Sequence, residues 1–489
     1  LGDVYKRQVD AEPSDRVKDL EEKSIHIPFN RVSLMNVLEP QRELSIDVFP
    51  LDGVDPARMK HKENGNHADN LFYQMRQDGD NKWLFICHVD KPRNEAIAWN
   101  ERWDIKIKGE YQAVCYDTMD GKIYPVKAAI KDGNTIIHHI ASLHDSLLLK
   151  LLAIENSKKA DSVNAVDNVV KEEVFKIPQN QKNLPEPFQY RLEEHNSLLL
   201  DMAQYAFDEE EWQEREELLR IDNLFREKLH YPLRMEALAQ PWTEKDEQKS
   251  EHVLKLCFHI YSEVEMNEVE LAMEHPETAE ICWNGETLEY IDSGFYVDES
   301  IRTCKLKKLQ KGENTLFVKI PFGRKTNVEW MYLLGEFGVK TIGKYGIITN
   351  LPARLCYGDI TTQNLAFYGG SLEYKSKVST EAGIMNLEVS HYKGALLEVF
   401  LDGENKGSLF MAPYRKNLGK VEKGEHEITI KVYGNRSNTF GVVHNADRTE
   451  SWYGPNLWRT TGNKWSYEYQ LEQMGVLATP VYWIEEGTD

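Results

Sequence analysis

Residues 279–290, AEICWNGETLEY, followed by 311–320, KGENTLFVKI, decide the fold of this chain once they are set against 396–410, LLEVFLDGENKGSLF, followed by 423–432, KGEHEITIKV. Each copy runs from an apolar strand through Asn284-Gly285 or Asp402-Gly403 into a polar return strand, and then into a second strand that opens on Gly312 or Gly424. An Asn-Gly or Asp-Gly pair supplies the two positive-φ positions of a two-residue hairpin turn. Gly285 and Gly312 are 27 positions apart and Gly403 and Gly424 are 21 apart, so the copies differ only between the hairpins, where loops tolerate insertion. The pattern predicts two copies of one antiparallel β-sandwich in tandem.

Working outward, strand-like alternation fills most of the chain. Residues 70–153 carry seven apolar-alternating runs punctuated by Asp78-Gly79, Asp120-Gly121 and Asp132-Gly133, the pattern of a further small sandwich. His138 and His139 are adjacent in one run, so they point to opposite faces and form no metal pair by themselves. A polar, proline-bearing stretch at 156–187 reads as a linker. Residues 208–217 are acidic and read as a solvated face, and the apolar spacing from Trp212 to Leu229 predicts one main helix near 211–229.

The N-terminal 50 residues begin with LGDVYKRQ, which reads as a read-through scar. Short helices near Arg16–Lys23 and Arg31–Leu38 follow, and the segment looks like the remnant of a preceding α/β domain. The expected organisation is therefore scar plus remnant at 1–50, a small sandwich at 65–155, the linker at 156–187, a jelly-roll with an inserted helix at 188–342 and a second jelly-roll at 345–485. The fold class is mainly β, as tandem antiparallel sandwiches.

The chain has 489 residues and a net charge of −21, which disfavours nucleic-acid phosphates and anionic membrane surfaces as partners. Six cysteines (Cys87, Cys115, Cys257, Cys282, Cys304, Cys356) lie scattered in strand-like runs without metal-ligand spacing. They read as reduced thiols and favour a cytoplasmic setting.

The densest aromatic and polar mixture lies at 438–469, NTFGVVHNADRTESWYGPNLWRTTGNKWSYEY, which has neither helical nor strand period. Trp452, Trp458 and Trp465, with Asp447 and Arg459, make it a candidate sugar-binding or domain-docking loop; the alternative is a plug over its own sandwich or a domain interface. Trp330 and Glu329 join the candidate set because they stand in VEWMYLLGEFGV.

The repeated strand, Asn-Gly turn and Gly-Glu-Asn strand resemble the sugar-binding jelly-roll domain of glycoside hydrolase family 2. PFGRKTNVEWMYLLGEFGV at 321–339 and GNRSNTFGVVHNADRTESWYGPNLWRTTGNKWSYEYQL at 434–471 are similar to the C-terminal region of multidomain enzymes related to the α-L-rhamnosidases of family 106. The resemblance covers about 9–483 and implies an accessory region whose partners are carbohydrate and a catalytic barrel that precedes it in the parent chain. It brings no catalytic residue.

Glycoside hydrolysis uses two carboxyls about 5–10 Å apart across one bond. Glu329 and Glu336 are the tempting pair, yet in an unbroken strand they face opposite sides, and Glu329 beside Arg324 reads as a structural ion pair. No nucleophile elbow or phosphate-cradling glycine loop is present, so no cofactor is expected, apart from a structural calcium at Asp292, Asp298 or Asp447. A free-standing carbohydrate-binding module and a self-contained hydrolase remain as alternatives.

Overall fold

Asn284-Gly285 and Asp402-Gly403 both turn tight hairpins: φ is 49° and 83° in the first pair, 51° and 84° in the second. The first joins strands Glu280–Trp283 and Glu286–Leu288, the second Leu396–Leu401 and Glu404–Leu409. Their registers coincide. Trp283 stands opposite Leu316, and Leu401 opposite Ile428, each the fourth residue after its glycine. On the other side Ser262 opposes Gly312, and Thr380 opposes Gly424. Even the turn side chains agree: Asn284 Oδ1 accepts Thr315 N–H and Asp402 Oδ1 accepts Glu427 N–H, both at 2.8 Å.

The computed structural model describes residues 8–9, 12–13, 22–51, 70–89, 100–119, 121–142, 144–154, 178, 180–234, 250–447, 449 and 455–486. It is mainly β, as tandem antiparallel sandwiches, and divides into two compact units, Leu1–Lys176 and Ile177–Asp489.

In the first unit a four-stranded and a five-stranded sheet enclose Trp103, Ile105, Ile107, Leu84, Ile86, Leu149 and Leu151. Strand Leu44–Pro50 pairs along Asn100–Lys108 and buries Ile46 and Val48, so the segment read as a remnant of another domain supplies a strand to this sandwich. The helix Arg31–Leu38 forms as expected, capped by Asn30, whose side chain accepts Ser33 N–H. Nearly all of Arg16–Lys23 and of the 156–187 stretch up to 177 lie outside the described residues.

His138 and His139 do face opposite sides, toward Asp104 at 2.6 Å and Asp145 at 3.2 Å. The core of this unit also holds a polar knot: Glu101 accepts Trp103 Nε1–H at 2.5 Å and lies 2.8 Å from His88 Nε2. His88 Nδ1 accepts the Asp145 N–H, which leaves the ring proton on Nε2, pointed at Glu101.

In the second unit the two copies of the sandwich are interleaved. The sheet Gln189–Leu192, Leu372–Thr380, Gly424–Tyr433, Leu396–Leu401 and Glu404–Leu409 belongs to the later sandwich but takes its edge strand from before the earlier one. Lys182–Asn183 likewise pairs with Val481–Glu485. The domain limit expected near residue 188 is thus crossed by chain that serves the last sandwich.

The expected helix is shorter than its periodicity implies. Gln213–Glu217 pairs with the strand Met202–Phe207, and the helix runs over Leu218–Lys228. The reason is a cap: the Glu217 carboxylate accepts the N–H groups of Leu219 and Arg220, both at 3.0 Å, which starts the helix there. The acidic run is correspondingly not one solvated face. Glu217 is fully buried, and Asp208 accepts Val253 N–H and sits 2.8 Å from His252.

None of the six cysteines is joined in a disulfide. No helix among the described residues is long and apolar enough to cross a membrane.

Candidate functional site

The described residues of the aromatic segment pack onto the earlier sandwich rather than over their own. Phe440, Val443, Trp458, Tyr469 and Leu471 pack into the core of the earlier sandwich, and the chain returns to the later core only at Met474 and Val476. Large aromatics joined to polar handles suit such an inter-sandwich seam, where each ring buries area while its N–H or O–H finds a partner.

Polar contacts fix the seam. His444 Nδ1 donates to the Ser466 carbonyl at 2.8 Å, and Nε2 lies 2.6 Å from Asp201 Oδ2. Tyr469 donates its hydroxyl to Asp201 Oδ1 at 2.8 Å. Burial opposes the charged imidazole, but the Asp201 carboxylate, the Ser466 carbonyl and Glu217 outweigh it and hold the His444 pKa above its ordinary value.

Beside this pair, Glu217 Oε1 accepts Trp330 Nε1–H at 2.6 Å. Burial pushes the Glu217 carboxyl up to about 7, helped by the Asp201 charge and opposed by Trp330, Leu219 and His444.

Trp465 lies over His444, with centroids 4.8 Å apart, and the Arg220 guanidinium sits 4.6 Å from its centroid. Trp458 donates Nε1–H to the Phe440 carbonyl at 3.0 Å. Asp447 accepts Thr449 N–H at 3.0 Å and Lys464 Nζ at 2.9 Å, and the Thr449 hydroxyl and Lys464 hold its pKa far below the carboxylate range. Trp452 lies outside the described residues.

The earlier sandwich also holds a cavity. It has a volume of about 350 Å³. Met273, Ile320, Val328 and Met331 are among its apolar lining residues, and Glu274, Asn327 and Glu329, with the exposed His275 and Lys325, are among its polar ones.

Glu329 precedes the strand Met331–Gly335 rather than lying within it. Burial pushes its carboxyl up to about 7; the Glu274 charge adds to the effect, and Arg459 and Arg234 oppose it. Arg459 comes from the aromatic segment, so two sequence-predicted residues, Glu329 and Arg459, meet electrostatically although 130 positions apart. Arg324, the partner expected for Glu329, contributes its backbone carbonyl to Arg226 Nη1 at 3.0 Å. Glu336 is exposed and contacts His195 Nδ1 at 2.9 Å, outside the cavity lining.

The cavity wall is held from behind. The fully buried Asp222 receives Arg226 Nε at 3.0 Å from both carboxylate oxygens. Arg226 Nη2 donates to the Thr326 carbonyl at 2.6 Å, and Arg234 Nη2 donates to it at 3.1 Å. Arg234 Nη1 also donates to Asn327 Oδ1 at 2.6 Å, and Asn327 Nδ2 donates to Glu274 Oε2 at 2.8 Å. A relay from Asp222 through Arg234 and Asn327 therefore orients the Glu274 carboxylate, the kind of support that keeps a binding group in one geometry.

Sequence reasoning missed Glu274, Asn327 and the Asp222–Arg226 pair. One signal was present: Asp222 and Arg226 share the i, i+4 face with Leu218 and Phe225, charges placed on the apolar side of the helix. The calcium candidates are engaged locally, Asp292 by Arg302 and Gly294 N–H, and Asp298 by Ser300. Among the described residues no three His, Cys, Asp or Glu side chains converge as a metal-ligand set.

No protein-family model matches the chain, and no curated protein matches it. Solved structures similar to it include glycoside hydrolases. A rhamnosidase from Novosphingobium sp. PP1Y aligns at 11% identity and TM-score 0.37, over 92% of this chain and 26% of that one. An α-L-rhamnosidase from Streptomyces avermitilis, complexed with L-rhamnose, aligns at 10% identity and TM-score 0.22, over 90% and 35%. A β-D-mannosidase from Dictyoglomus thermophilum aligns at 10% identity and TM-score 0.20, over 49% and 31%. The chain thus spans between 26% and 35% of the length of these proteins.

Proposed function

We propose that the chain is an accessory β-sandwich region of a glycan-degrading enzyme, of α-L-rhamnoside or β-galactoside type, working beside a catalytic barrel and contacting carbohydrate. The observation that carries this reading is the duplicated hairpin module, with one register in both copies, locked by the aromatic segment into a scaffold that holds a ligand-sized cavity at a sheet end. Glu329 in the cavity and Glu336 on His195 do not flank one bond, which supports a role without turnover. The purified chain should bind sugars on a glycan array and leave aryl rhamnosides and aryl galactosides intact; an array without any binding removes the reading.

A second reading, a self-contained hydrolase, is favoured by Glu274 and Glu329 sharing one cavity, with Glu329 poised near neutrality. Saturable hydrolysis abolished by Glu329→Gln, but not by Glu210→Gln in the exposed Lys228 pair, would establish it in place of the first.

A further inference from the structure

The cavity at Glu274 and Glu329 has a chemistry that narrows what it can hold. Its volume of about 350 Å³ falls within the roughly 300–1,000 Å³ range of small-molecule sites. Its lining joins the apolar Met273, Ile320, Val328 and Met331 to Glu274, Glu329 and Asn327. A pyranose ring has this same division, with C–H faces on one side and hydroxyls at its edge.

Charge decides between classes of sugar. The two half-buried carboxyls, Glu274 and Glu329, already repel one another, and an anionic ligand would add a third negative group, while the cationic lining residues His275 and Lys325 are both exposed, His275 against Glu277 at 3.2 Å, where water screens their charge. A cationic ligand has less to gain than the two carboxyls alone suggest, because Arg234 and Arg459 already act on Glu329. A hydroxyl donor satisfies carboxylate lone pairs and leaves this balance unchanged. The wall is also fixed before any ligand arrives, since Arg226 and Arg234 both grip the Thr326 carbonyl and Asn327 braces Glu274.

We propose that this cavity binds the ring of a neutral, hydroxyl-rich sugar between the Glu274 and Glu329 carboxyls and rejects sugars that carry a carboxylate. The inference rests on the carbohydrate-associated reading above.

The test is calorimetric or ligand-observed NMR titration of the full chain with two matched sets. One is methyl β-D-galactopyranoside, D-galacturonate and D-galactosamine; the other is the corresponding gluco series. The neutral member of at least one set should bind, and its uronate should bind at least about ten-fold more weakly. Thr278→Trp, at an exposed position on the cavity lining, should abolish that binding with an unchanged melting temperature. The Glu274→Gln/Glu329→Gln double variant should close most of the gap between neutral sugar and uronate. Equal or tighter binding of the uronate or the amino sugar overturns the proposal, as does absence of binding to every probe, or neutral-sugar binding that survives Thr278→Trp. Glycan-array binding that persists in the Thr278→Trp variant would retain the accessory reading while removing this cavity from it.

Discussion

Asp201 and His444, 243 residues apart in sequence, meet at 2.6 Å in the core of the second unit, both almost wholly withdrawn from solvent. The contact ties the aromatic segment to the start of the earlier sandwich. Removing one partner of a buried ion pair typically costs about 3–5 kcal/mol, because the other charge is left uncompensated. His444→Phe and Asp201→Asn should each lower the unfolding free energy, read from denaturant titration, by an amount of this order, and a double-mutant cycle should show strong coupling. Independent, additive effects would mean that the pair does not act as a unit.

The pH dependence follows from three raised groups. His444 binds its proton more tightly folded than unfolded, so its contribution is fully present below the unfolded histidine value near 6.5 and is lost as pH rises through its higher folded value. Glu217 and Glu329, both pushed up to about 7, hold protons that the unfolded chain has already released above about 4.5. All three therefore make stability fall as pH rises from about 5 to 8. Calorimetric melts across this window check the sign, and in Glu329→Gln the slope should be shallower.

Trp330→Phe removes the indole N–H from Glu217 while keeping an aromatic in the core. Leaving a buried acceptor with one donor fewer should destabilise by about 1–3 kcal/mol. It should also push the Glu217 pKa higher, since Trp330 is the first of the groups that lower it. NMR titration of the Glu217 carboxyl resonance reads this second effect.

Asp222→Asn leaves Arg226 and Arg234 without their buried counter-charge. A loss of about 3–5 kcal/mol is expected in urea denaturation, together with faster amide exchange through 323–328, because both arginines hold the Thr326 carbonyl. Unchanged exchange in that loop would show that the arginines do not fix the cavity wall.

Gly285→Ala and Gly403→Ala test the duplication energetically. Both glycines have positive φ, 83° and 84°, and neither would bring a Cβ within 4 Å of another group. The cost is then backbone strain alone, about 1 kcal/mol or somewhat more, and it should be the same at both sites. Markedly unequal losses would mean that the two turns are not energetically equivalent.

The hairpins were legible because their determinants are local: period-two burial and a positive-φ pair set strand, turn and register within a few residues of Gly285 and Gly403. The helix Arg31–Leu38 was legible for the same reason. The start of the main helix was not, since apolar spacing continues through Trp212 while Glu217 supplies the cap that begins it at Leu218. Among site residues, Glu329 and Arg459 stood out in the sequence, but Glu274, Asn327 and the buried Asp222 look like ordinary surface polar residues there. What makes them a site is non-local. Burial raises Glu329, a distant arginine opposes the rise, and strands from residues 182–192 and the segment 434–471 are exchanged between sandwiches. Sequence by itself determined the mainly β class and the repeated hairpins, through short-range sterics and alternation. Tertiary structure alone decided which carboxyls lose their water and which charges face them, because desolvation and Coulomb energy depend on neighbours that the chain brings together only when it folds.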